Sequence, residues 1–435
     1  MVPSVRLLWW ISLVCVPAAA CGGLVPGAAI PAAILVTLVL FAVVFDAATS
    51  VRSLERVSVA GPGLARLYRD REGEILLQII RDVPLKQLLR VALPMPDSME
   101  TPEDVRWIGL EAVTHSEFIW RCTGHRRGKY LIDALYLESA SRLGFWNVRR
   151  KCPLQLEVRV YPNLRHPDAL AALRRGAQGM NLLRQVGKGR EFEKLREYLP
   201  GDGFDEIHWK ATARRGRPIT KVFQVERTQE IYVVIDSSRL TGRPAGKDLV
   251  LERYIQAALV LGSAAERNGD LFGLVTFSDQ VHGFVRARNG KSHYSACRDA
   301  LYQLEPRAVS PDFDELATFL RLRLRHRSLI VILTELDDPM LSESFARATR
   351  LLSSQHVLLA GMLRPAGMAP LFSDGTVETD QDVYERLGQH LAWRGLKETE
   401  LALRRQNVRF VLLTPEAVCQ QVVESYVDIK QRQII

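Results

Sequence analysis

The sequence predicts a membrane-anchored chain whose larger part is an α/β domain, preceded by a small β-sandwich and an N-terminal transmembrane helix hairpin. Three observations carry this. Two uncharged apolar runs, Leu7–Leu24 and Gly27–Phe45, open the chain. Short, partly alternating segments separated by Gly, Pro and charged turns follow to about residue 165. From residue 230, apolar β-rich runs alternate with helical patterns to the end, as in an open, mainly parallel sheet. The divisions implied are residues 1–49, 50–165, 166–229 and 230–435.

Each apolar run has about 18 residues and spans roughly 27 Å as a helix, enough for a hydrocarbon core of about 30 Å. Arg6 precedes the pair and Arg52 and Arg56 follow it, while the connection Val25-Pro26 is uncharged. The positive-inside rule therefore puts both ends and the body, Ser50 to Ile435, in the cytoplasm, with the anchor in a bacterial inner membrane. Ala18-Ala19-Ala20-Cys21 after Arg6 offers the alternative of a lipoprotein signal, and so of a surface or adhesion module.

In the sandwich, Glu74–Ile80, Phe118–Trp120, Tyr130–Tyr136 and Leu154–Val160 read as strands. Leu170, Leu173, Met180, Leu182 and Leu183 fit a helical connector from Asp168 to Val186. Beyond Ile231–Asp236 come a helix at Leu249–Arg267, a strand at Leu271–Phe277 with its antiparallel partner Val281–Val285, and strands at Leu329–Thr334, His356–Leu363 and Val408–Leu413. Helices are expected at Ser292–Leu304, Asp312–Arg325, Met340–Leu352, Asp380–Gln406 and Pro415–Tyr426.

Six widely spaced cysteines without a Cys-x-x-Cys pair make neither a disulfide framework nor a metal cluster. The net charge of +9 suits a body near anionic lipid. No zinc-finger spacing or aromatic nucleic-acid motif accompanies it, so no nucleic acid is expected.

The densest stretch holds Leu195-Arg196-Glu197-Tyr198, Pro200-Gly201-Asp202, Ile207-His208-Trp209-Lys210, Thr212-Ala213-Arg214 and Gly216, followed by Val234-Ile235-Asp236-Ser237-Ser238-Arg239. These residues resemble the signature of the bacterial "domain of unknown function 58" family and its entry into a von Willebrand factor type A-like domain. Arg126–Tyr130 and Leu143-Gly144-Phe145-Trp146 resemble its hairpin motifs. The resemblance implies a partner, a MoxR-type AAA+ ATPase, and a role in assembling or activating an unidentified client protein.

It also implies an Mg²⁺ edge built from Asp-x-Ser-x-Ser, a Thr and an Asp, since a hard cation takes oxygen ligands. Asp236 and Ser238 match the first loop, but Leu240 replaces its second serine. Thr334-Glu335 stands where Thr-Asp is expected, Ser292 is the candidate for the middle residue, and Arg239 adds a positive charge. The expectation is therefore a degenerate edge that serves docking, with no cofactor, Mg²⁺ remaining the alternative. Arg196, Asp202, Trp209 and Arg214 are expected to form a charged and aromatic clasp. A hydrolase using His208 with Asp202 or Asp205 is the second reading, but no nucleophile elbow or Gly-rich phosphate loop supports it, so no enzyme is expected.

Overall fold

The structure is a computed structural model. It describes residues 1–24, 26–55, 57–81, 87–110, 114–165, 167–180, 186–187, 191–199, 203–204, 207–224, 228–365, 367–368, 370–371 and 379–432. The chain divides into two compact units, Met1–Asn163 and Leu164–Ile435.

In the first unit, Val5–Leu24 and Ala29–Ser50 are helices long and apolar enough to cross a membrane. Each is longer than its sequence run. The second does not stop at Asp46 but continues through Ser50. The remainder of the unit forms two sheets. One has the order Val2–Pro3, Trp146–Tyr161, Gly128–Ala140, Gln87–Ala92, Val105–Leu110, with Leu64–Tyr68 parallel to Trp146–Tyr161. The other runs Val57–Ala60, Glu72–Arg81, His115–Gly124, Met99–Glu100. Alternate side chains, Ile75, Leu77 and Ile79 from one sheet and Leu154, Leu156 and Val158 from the other, enter one shared core. This is the period-two pattern that the sequence displays.

The hairpin Ser141–Trp146 is fastened to the helix ends by a buried acid. Asp46 is fully buried and accepts from Ser141 Oγ (2.5 Å), Leu143 N (3.0 Å), Phe145 N (3.3 Å) and Ser50 Oγ (3.4 Å). Trp146 Nε1 donates to Val43 O, and Ser4 Oγ to Gly144 O. Gly144 has φ +79, a turn conformation a side chain would strain.

In the second unit a six-stranded sheet has the order Val281–Arg288, Leu271–Phe277, Glu230–Asp236, Leu329–Leu333, Val357–Leu363, Val408–Leu413. The first pair is antiparallel and the rest are parallel. Strand Glu230–Asp236 is buried on both faces, which explains its unbroken apolar run. Ile231, Val233 and Ile235 meet helices Val250–Arg267 and Val418–Gln431 on one side, with Ala169 and Ala172 of helix Pro167–Met180. Tyr232 and Val234 meet helices Phe313–Arg323 and Pro339–Leu352 on the other, with Leu396 and Leu403 of helix Asp380–Arg405.

The helical connector expected from Asp168 to Val186 is a helix over Pro167–Met180. After helix Pro167–Met180, Val186–Gly187 and Glu191–Glu197 pair with Ile219–Gln224 in a small antiparallel sheet, and one short helix, Trp209–Arg215, crosses between its strands. The apolar period up to Leu183 suggested a helix, but Val186 is claimed by cross-strand pairing.

Replacing Asp46 with Ala leaves the amides of Leu143 and Phe145 and the Ser141 hydroxyl without their acceptor. Each orphaned donor costs on the order of 1–3 kcal/mol. Thermal unfolding of the full chain in detergent is expected at clearly lower temperature for Asp46→Ala, with Asp46→Asn between it and wild type. An unchanged midpoint would show that the hairpin holds without the carboxylate.

Candidate functional site

The strand order places one position apart from all others. The chain enters the sheet at Glu230–Asp236, adds Leu271–Phe277 on one side and then Leu329–Leu333 on the other. The crevice where the order reverses, at the carboxyl ends of these strands, is where ligands and partners of open α/β sheets collect. Asp236 ends one of the two strands flanking it, and Thr334 directly follows the other.

A buried polar cluster fills this point. Asp236, Ser237, Ser238 and Thr334 are fully buried, and Glu335 is 2% exposed. Asp236 Oδ1 accepts from Ser238 N (2.7 Å), and Oδ2 from Thr334 Oγ1 (2.7 Å). Ser238 Oγ faces the same carboxylate and finds no other partner. Burial raises the Asp236 pKa, against these hydrogen bonds. Ser237 N and Oγ both donate to Phe277 O, tying the loop to the neighbouring strand.

Glu335 belongs to a separate arrangement. Its Oε2 accepts from Arg243 Nη2 (2.5 Å), and its Oε1 from the Tyr254 hydroxyl. Tyr254 is delivered by helix Val250–Arg267 and accepts Leu363 N at 2.9 Å. Arg243 also reaches Asp337 (2.6 Å). Burial pushes the Glu335 carboxyl up to about 7, opposed by Tyr254 and Arg243. Burial pulls the Arg243 pKa down, but Asp337 and Glu335 outweigh this and raise it. Beside the pair a cleft of about 750 Å³ is lined by Arg243, Glu335, Arg364, Met368 and Glu416 among others.

The residues predicted for a metal edge thus come together only in part. Asp236, Ser238 and Thr334 meet. Leu240 supplies no oxygen, and both Glu335 oxygens are taken by Arg243 and Tyr254, which leaves Asp236, Ser238 and the Thr334 hydroxyl as too small a set. This donor set does not fit a divalent cation, which needs about six oxygens in near-octahedral array. Among the described residues, no group of three or more His, Cys, Asp or Glu side chains is placed to hold one. Ser292 is not the middle residue: it is exposed in the first turn of helix Lys291–Leu301. The loop brought to the edge is Arg307–Ser310 instead. Arg307 N donates to Ser237 O (2.7 Å), Arg239 N to Val309 O (2.9 Å) and Arg239 Nε to Ser310 Oγ (3.4 Å).

In the signature segment two residues of the expected clasp, Trp209 and Arg214, lie at the surface. Trp209 is 67% exposed and Arg214 is exposed, so neither is buried packing. Arg196 contacts its neighbour Glu197 O, whose side chain pairs with Arg217 (3.2 Å). Pro200, Gly201 and Asp202, with Asp205, lie outside the described residues. The remaining motif residues serve local geometry. His208 Nδ1 accepts Ala211 N (3.1 Å) as helix cap, which commits that nitrogen. Thr212 Oγ1 accepts Ile219 N, and Gly216 ends the helix at φ +66. Tyr198 N donates to Pro218 O and its ring meets Phe204 at 6.3 Å. Ala213 is exposed on this helix.

Arg243 and Tyr254 were missed in the sequence. Neither lies in a strand-end motif, and only the fold brings them to Glu335. Ser310 did carry a signal: Ser310-Pro311-Asp312 immediately precedes a helix, and Asp312 caps it.

Fold and site together define a chain with two membrane-length apolar helices, a β-rich unit and an α/β unit with a polar strand-end edge. Residues 194–382 match the family model described as "Protein of unknown function DUF58". The uncharacterised proteins Rv1480 of Mycobacterium tuberculosis and Mb1516 of Mycobacterium bovis are each 25% identical over 176 residues, 40% of this chain. The chain spans about half, 55%, of the length of these relatives. Among solved structures, an aerotolerance-related membrane protein from Bacteroides fragilis aligns with TM-score 0.31 and 14% identity, over 46% of this chain and 98% of that one. The conserved hypothetical protein BatB from Bacteroides thetaiotaomicron aligns with TM-score 0.31 and 13% identity, over 46% and 99%.

The Glu335 carboxyl has a sign that can be checked. Its pKa rises from 4.5 to about 7 on folding, so the folded state holds an extra proton between those values. The stability this confers is fully present below the unfolded pKa and is lost as pH rises through about 7. Melting temperature followed against pH is expected to fall over that window in wild type and to stay flatter in Glu335→Gln. Parallel profiles would show that Glu335 is ionised throughout.

Proposed function

We propose that this protein is a membrane-anchored docking protein without catalytic activity of its own, with its body on the cytoplasmic side of a bacterial inner membrane. The α/β unit works as a metal-independent type A-like domain. The observation that carries this reading is the closure of the edge at the switch point. Each buried acid is satisfied internally, Asp236 by Ser238 and Thr334 and Glu335 by Arg243 and Tyr254, while Arg239 faces outward. An arrangement of this kind offers a shaped, pre-organised surface and no nucleophile with its base. Exposed Trp209, beside Lys210 and Arg214, supplies a second contact of the type that anchors interfaces.

The partner proposed is a MoxR-type AAA+ ATPase, which the resemblance of Arg196–Gly216 implies, acting together with this protein on a client. Arg6 and Arg52, flanking the apolar pair, support the orientation.

Purification of the full chain in mild detergent, with ATP or ADP, tests this. Wild type is expected to retain a MoxR-type ATPase identified by mass spectrometry. Arg239→Glu with Leu240→Asp is expected to lose it by about tenfold or more, as for a hot-spot contact. Trp209→Ala, which removes no core packing, is expected to weaken it. Absence of any AAA+ ATPase from the wild-type preparation rejects the partner. Equal retention by all variants rejects the two docking surfaces.

A further inference from the structure

Helix Asp380–Arg405 is fastened to its unit by few side chains. Of its 26 residues only Leu396 and Leu403 are buried; Trp393, packed against the core, and His390, whose Nδ1 accepts from Leu371 N, are among those half-buried. On the outward side its first half exposes Val383 (49%), Tyr384 (74%), Leu387 (43%) and Leu391 (57%). The spacing of Tyr384, Leu387 and Leu391, extended by Asp380 and Arg394, is 4-3-4-3, the seam of a paired helix. A seam of this size left in water is unusual for a helix whose opposite face already serves the core.

We propose that this helix pairs with the same helix of a second copy of the chain, antiparallel about a twofold axis passing at Leu387. The argument for a second copy is that the seam is complementary to itself. In an antiparallel pair centred on residue 387, each residue meets the one equally far on the other side of the centre. Asp380 then faces the partner's Arg394, seven residues away from the centre on either side, and Val383 faces the partner's Leu391. Tyr384 lies over the partner's His390, and Leu387 meets itself. Both ends of the apolar seam are closed by opposite charges, twice over by symmetry. A parallel pair would instead set Asp380 against Asp380 and Arg394 against Arg394.

The charges are available for this. Among the described residues Arg394 bonds the exposed Glu398 one turn on, an ion pair worth little in water. Two glycines fit the same account. Gly388 and Gly395 have open space where a Cβ would lie. In a helix interior each costs about 1 kcal/mol relative to Ala, and within one chain nothing is gained from them. Beside the seam they let a second backbone approach. The two apolar N-terminal helices would hold copies in one plane, raising their effective concentration. The pairing goes beyond the docking function proposed above and does not depend on it.

The test uses the full chain in detergent or lipid nanodiscs, with exposed Cys21 replaced by Ser. Leu387→Cys places a thiol on the axis, and Leu401→Cys, also exposed but beyond the paired stretch 380–394, serves as control. Under mild oxidation Leu387→Cys is expected to form covalent dimers and Leu401→Cys to stay monomeric. In the Leu387→Cys background, Asp380→Arg alone and Arg394→Asp alone are expected to lower dimer formation about tenfold. The two reversals combined are expected to restore it, because the pair is then swapped in both copies. All four positions are exposed, so melting temperature is expected to hold throughout. No dimer at 387, equal dimer at 387 and 401, or a double reversal no better than the singles would each overturn the proposal.

Discussion

The Asp236 carboxylate, buried where the strand order reverses, is the constraint on which the site depends. An ionisable group without solvent must be satisfied by its own surroundings. Ser238 N and Thr334 Oγ1 do this, and in doing so they fix the loop after one strand and the end of its neighbour. With the Thr334 hydroxyl pulled to Asp236, the following residue, Glu335, is directed to Tyr254 and Arg243 rather than to the same point. In the resulting edge both buried acids are hydrogen-bonded from within the fold, Glu335 to a cation as well. A cation would have to compete with Arg243 for Glu335 and with Thr334 for Asp236.

The same device recurs in the first unit. Asp46, at the end of an apolar helix, is buried against the turn Ser141–Trp146 and accepts backbone amides from it. In both places a short acid holds a loop by its N–H groups, replacing water that the fold has excluded. In one the loop carries the proposed contact residue Arg239. In the other it joins the membrane-length helices to the sheet behind them.

The architecture was largely legible because it rests on periodicity. Uncharged runs marked the two apolar helices, alternation marked the strands of the first unit, and the buried run Ile231–Asp236 marked the central strand of the second. The site was legible only where it is local in sequence. Asp236, Ser238 and Thr334 follow from strand ends, whereas Arg243 and Tyr254 depend on how loops and helices are brought over the sheet. Trp209 was expected in a charged and aromatic clasp, and its place at the surface could not be read from an aromatic ring among charges. The short helix that bears it, capped by His208 and ended by Gly216, turns that face to solvent. Pattern within seven residues could not decide the direction. Likewise, the apolar period before Val186 could not reveal its pairing with Gln224.

The central claim is that the strand-end edge is complete without a metal ion. Thermal unfolding of the full chain in detergent, first in chelator and then in excess Mg²⁺, tests it directly. A ligand at about 100 times its dissociation constant stabilises the folded state by about 2.7 kcal/mol, which such a measurement resolves. The account predicts the same midpoint in both conditions. A rise with Mg²⁺ that disappears in Asp236→Ala would contradict it.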